Sequence, residues 1–153
     1  MKAYNWSLFI ALLFSVACAG DASTPHSTTA RAATTAHVVR LEVLDFHTTH
    51  RCRSCLAIEK LTRETLDTYF ATEQANGRIV FRLVDTDASE NAALAERFGA
   101  FGTTLILNLE AGQRSQVRDI TDFAFKRAWD RAQFQAELKA MIEEMLAQAS
   151  VQG

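Results

Sequence analysis

The feature that most restricts how this chain can fold is a change of hydrophobic period between Val38 and Phe70, with two cysteines at the changeover. Val38, Val39, Leu41, Val43, Leu44 and Phe46 make a nearly continuous apolar run, which suits a central strand covered on both faces. From Leu56 the pattern becomes helical. Ile58, Leu61, Leu66, Tyr69 and Phe70 share one broad face, and Glu59, Lys60, Arg63, Glu64 and Asp67 share the other. Cys52 and Cys55 lie where the strand hands over to the helix.

The rest of the chain continues the alternation. Asn76-Gly77 ends the helix, and Ile79 to Val84 reads as a second strand, parallel to the first through a βαβ crossover. Asp87 with Glu90 three residues on has the form of a capping box, opening a helix that runs to Phe98 and closes on Gly99. Thr103 to Asn108 is a third strand. Glu110-Ala111-Gly112-Gln113 turns the chain into a fourth, Arg114 to Ile120. Phe123, Phe125 and Trp129 form an aromatic patch with no element assigned to it. Asp130 with Gln133 caps a last helix to Gln148, with Phe134, Leu138, Met141, Ile142 and Met145 inward. The expectation over residues 37–149 is an α/β three-layer sandwich in the order β-α-β-α-β-β-α, built on a four-stranded mixed sheet.

Residues 1–19 read as a targeting segment: Lys2 gives a positive start, and Trp6 to Ala17 is apolar but short for a bilayer span. Two processing routes fit. Ala17-Cys18-Ala19 matches a small-x-small cleavage site before Gly20, and Ser15-Val16-Ala17-Cys18 resembles a bacterial lipobox that would leave Cys18 lipidated. Residues 20–36 are rich in Ser, Thr and Ala without apolar period, a flexible tether. Export follows, to the periplasm or, through lipid on Cys18, to the envelope membrane of a bacterium. With 48% hydrophobic and 22% charged residues, the remainder suits one globular domain. A net charge of -2 without a basic face argues against a nucleic-acid partner.

The position of the cysteine pair carries its chemistry. A helix N-terminus offers partial positive charge and free N–H groups, which favour a thiolate at Cys52. Arg51 and Arg53 flank it and His50 is near, while Cys55, one turn on, is placed as the resolving thiol. Three readings use these residues. The first is thiol–disulfide exchange with a protein dithiol or disulfide, as a monomer and without a cofactor. The second is a zinc or copper site made by His47, His50, Cys52 and Cys55. The third is an inert disulfide in a non-enzymatic subunit. In the first reading His47 is a hydrogen-bonded shoulder of the site and His50 an exposed neighbour.

The run Leu44-Asp45-Phe46, the Cys52-x-x-Cys55 pair and Phe101-Gly102-Thr103-Thr104-Leu105-Ile106-Leu107 together resemble the thioredoxin superfamily. More narrowly, Phe46-His47-x-Thr49-x-Arg51-Cys52-x-x-Cys55 followed by Ile58-Glu59 is similar to the nitrophenyl compound nitroreductase subunit ArsF family. The resemblance covers about residues 40 to 147. It implies a thioredoxin-like fold and a redox role, with Asp45 as the acid that shuttles protons for Cys55. No flavin-binding fingerprint is present, so nitroreductase activity would need a partner or cofactor. Thr103 occupies the place of the cis-proline usual in thioredoxins. A cis bond there would cost about 2.5–4 kcal/mol, so a trans bond is expected. The Thr103 hydroxyl then either donates to the Cys52 thiolate or is simple strand filler.

Overall fold

The computed structural model describes residues 39–151, with side chains to residue 149. The expected leader with Cys18, the tether, and His37 and Val38 lie outside the described residues.

Strand β1 (Val39–His47) is buried without a break from Leu41 to His47, as its continuous apolar run requires of a central strand. It pairs in parallel with β2 (Ile79–Asp85) and antiparallel with β3 (Thr104–Ala111), which pairs antiparallel with β4 (Arg114–Asp119). The sheet order is β2-β1-β3-β4. The fold is thus mixed α/β around a four-stranded mixed sheet.

Helix α1 (Arg53–Tyr69) begins three residues before its apolar period does, because Cys52 serves as its N-cap. It ends at Phe70, and a short α2 (Ala71–Ala75) follows before Asn76-Gly77 leads into β2. Phe70 is buried, whereas Tyr69, expected inward, is 45% exposed on the last turn with Lys139 over its ring at 5.9 Å. The expected capping box at Asp87 does not form. Asp87 accepts from the Thr49 N–H instead, and a 3-10 turn (Ser89–Asn91) precedes α3 (Ala92–Phe98). Gly99 closes α3 at φ 62°, a left-handed conformation that glycine adopts without a Cβ penalty. The aromatic patch belongs to an unforeseen helix, α4 (Thr121–Arg127), and its connection to α5 (Arg131–Val151). Phe123 packs on Phe134 at 5.1 Å, while Phe125 and Trp129 stand exposed.

Alternation along β1 divides the core in two. Leu41 and Val43 join β3 residues Leu105, Leu107 and Leu109 beneath α1, α4 and α5. Leu44 and Phe46 point the other way, to Val84, Ile106 and the α3 side. The α1 face is the more heavily packed, and it carries the cysteines. Among the described residues no helix is long and apolar enough to cross a membrane.

Candidate functional site

Cys52 and Cys55 form a disulfide across the first turn of α1, with their Cα atoms 5.2 Å apart. Residues three apart at a helix start share a face, so the bridge closes without displacing the helix. The Cys52 backbone is extended (φ -80°, ψ 168°), and its Sγ accepts from the Cys55 N–H at 3.2 Å. A sulfur therefore occupies the capping position that oxygen side chains usually fill, against N–H groups that have no helical partner. Cys52 is exposed and Cys55 buried. An approaching group meets Cys52 first.

Thr103 donates its hydroxyl to Cys55 Sγ at 3.1 Å. The two sequence expectations, a bond to Cys52 or no role beyond filling the strand, both differ from this. Burial explains the difference, since Cys55 is the sulfur turned inward, toward the segment leading into β3. No described peptide bond is cis, so the chain passes Thr103 in the trans form.

Arg51 corrects a simpler picture in which both flanking arginines present free charge. Its Nη1 is paired with Glu59 Oε2, and its Nη2 donates to the Cys55 carbonyl at 3.4 Å. Arg63 donates to the other Glu59 oxygen at 2.8 Å. Burial pushes the Glu59 carboxyl up, but the two guanidinium hydrogen bonds outweigh it and hold the group below the usual carboxylate range. Arg53 opens α1 and is exposed. Glu59 is the site residue that periodicity hides. It scores as one more charge on a polar helix face, although its position four residues after Cys55 and four before Arg63 puts it on the Cys55 side of the helix, one turn on.

Asp45 falls on the α1 face of the sheet, in register with Leu83 and Leu105, and is fully buried. Neither carboxyl oxygen has a hydrogen-bond partner. Burial raises its pKa to about 7, against the lowering effect of Arg51 and Arg63 and with Glu59 adding to the rise. Asp45 is thus an acid whose proton is exchangeable near neutral pH.

The loop before Cys52 is tied to the end of β2. Thr49 donates its N–H to Asp87 and its hydroxyl to Asp85, each at 2.9 Å, and the Thr86 N–H and hydroxyl both donate to the His47 carbonyl. The Asp87 N–H bonded to Asp85 holds that carboxyl below its ordinary range, helped by Thr49. His47 is buried with Nδ1 2.9 Å from the Thr48 carbonyl, and His50 is exposed. Among the described residues no three or more His, Cys, Asp or Glu side chains are grouped to hold a metal ion, so the His47, His50, Cys52 and Cys55 set is not assembled as one.

Two large apolar side chains close in sequence to site residues stand in solvent. Leu56 follows Cys55 and is 50% exposed, and Phe101, two residues before Thr103, is 86% exposed.

No family model matches this sequence, and no curated protein matches it. A solved structure described as "Structure of a malarial protein" is similar with a TM-score of 0.36 and 19% identity, covering 57% of this chain and 94% of that chain. A likeness that low carries no conclusion about fold or activity.

Proposed function

We propose that this chain is an exported thiol–disulfide oxidoreductase of the thioredoxin type, acting on a protein dithiol or disulfide outside the cytoplasm. One observation carries the reading: an exposed Cys52 at a helix N-cap is bridged to a buried Cys55 three residues on. The sheet order β2-β1-β3-β4, with a helix between parallel β1 and β2, supports the thioredoxin-like topology. The narrower kinship with the ArsF family rests on the motif from Phe46 to Glu59. Export rests on the sequence of residues 1–19, as does lipid on Cys18.

In the oxidising direction a partner thiolate attacks Cys52 Sγ, the Cys52–Cys55 bond breaks, and Cys55 leaves as a thiolate that takes up a proton. A second partner thiolate then attacks the mixed disulfide and releases Cys52. The partner loses two electrons and two protons, and the pair gains them; the reducing direction is the reverse. The resemblance to thioredoxins gives Asp45, on the sheet face under α1 and protonated up to about pH 7, the part of proton donor and acceptor for Cys55. The helix N-terminus and exposed Arg53 favour the Cys52 thiolate, which makes a potential above about -270 mV, the thioredoxin value, the expected one.

The test is a glutathione redox titration of the full chain, followed by thiol trapping and mass. A reversible two-electron transition at Cys52 and Cys55 is expected. The Cys55→Ser variant should accumulate a mixed disulfide on Cys52, and Cys52→Ser should lose exchange. Exchange unchanged in Cys52→Ser would overturn the reading.

A further inference from the structure

The charges around the pair are arranged in a way that stability alone does not explain. Asp45 is buried and without a hydrogen bond, yet Arg51 and Arg63 are both near enough to act on its charge. Both guanidinium groups go to Glu59 instead. The Arg51 and Glu59 side chains are only 16% and 17% exposed, so this is not a solvent-screened surface pair. Partly burying two charges has a desolvation cost that calls for a return elsewhere. Arg51 also touches the Cys55 carbonyl, so its charge lies within the turn that carries both sulfurs.

Left to itself, a guanidinium in that turn would stabilise the Cys52 thiolate and with it the reduced pair. Glu59 draws the guanidinium along α1 and offsets part of its charge, leaving the remainder to act on Cys52. We infer that Glu59 is a positioning residue that withholds part of the Arg51 charge from Cys52 and so keeps the pair less oxidising than its arginines would make it. The inference rests on the oxidoreductase reading.

Opposite signs separate this role from that of a structural brace. In full-length protein, the glutathione equilibrium of Glu59→Gln should move about tenfold toward the dithiol, which is about 30 mV for a two-electron couple. Arg51→Gln should move about as far toward the disulfide, and Arg51→Lys, which keeps the charge, should restore the wild-type value. In the Arg51→Gln background the Glu59→Gln change should lose most of its effect, because Glu59 acts through Arg51. Shifts of the same sign in both neutral variants, or no shift while thermal melting falls, would overturn the inference, as would a Glu59→Gln effect kept in full without Arg51. Where Arg51→Gln does not fold, the Glu59→Gln shift decides, read in the wild-type and Arg51→Lys backgrounds: movement toward the dithiol in both supports the inference, and no movement or movement toward the disulfide in either overturns it. A wild-type pair that never equilibrates with glutathione overturns the oxidoreductase reading instead.

Discussion

Asp45 shows how one side chain can set a pH dependence for the whole fold. Its neighbours in register are Leu83 and Leu105, and the charged groups that reach it are Arg51, Glu59 and Arg63. With a folded pKa of about 7 against an ordinary 3.8, the folded state holds a proton that the unfolded chain has released between those values. Stability contributed by this group is therefore present below about pH 4 and lost as pH rises to about 7, after which the loss is constant. Asp45→Asn, which cannot ionise, should melt at a higher temperature than wild type, by a larger margin at pH 8 than at pH 5. An equal margin at both would mean that Asp45 ionises freely in the folded protein. Alternation shows in the sequence that Asp45 shares a face with Leu41 and Val43, but not that this face lies under α1. Its missing hydrogen bonds were not legible there either, since Arg51 and Arg63 could equally have turned to it and the choice of Glu59 is made in three dimensions.

Helix starts show why local patterns succeed at one end of the chain and fail in the middle. Asp130 caps α5 as its spacing with Gln133 suggests, accepting from the Gln133 N–H at 3.0 Å while its carbonyl takes the Phe134 N–H. Nothing distant competes for it. Asp130→Ala should lower the unfolding free energy by about 1 kcal/mol in a denaturant titration, and no change would mean that the exposed α5 terminus is satisfied by water alone. Asp87 has an equally good local pattern, but Thr49, remote in sequence, takes its carboxylate. Strands β1, β2 and β3 were legible from their apolar runs, and β4, whose one apolar residue is Val117, from the turn at Gly112, whose φ of 62° suits glycine. Helix α4 was not. It has seven residues, of which only Ala124 is buried, too few for a helical period to emerge.

At the scale of the molecule the two faces of the sheet are unequal, and the disulfide on the larger face is touched by a segment that leaves the smaller one. Helices α1, α4 and α5 share one large apolar cluster, whereas α3 rests on Leu44, Phe46, Val84, Ala100 and Ile106 through Ala95, Leu94 and Phe98. Farther along that face β1 and β3 turn polar, with Glu42 accepting from Asn108 and facing Arg40 and Arg82. Helix α3 is short, begins after a 3-10 turn and lacks a side-chain cap, so the free energy of opening it locally should lie well below that of α1. Thr103 belongs to the segment between α3 and β3, and its hydroxyl rests on Cys55. Thr103 is thus the contact through which opening of α3 would be felt at the buried sulfur. Hydrogen exchange at neutral pH should find the amides of residues 92–98 exchanging faster than those in the body of α1, residues 57–69. Protection of α3 equal to that of α1 would show that the smaller cluster opens only with the whole fold, and Thr103 would then be as fixed as the cysteine it touches.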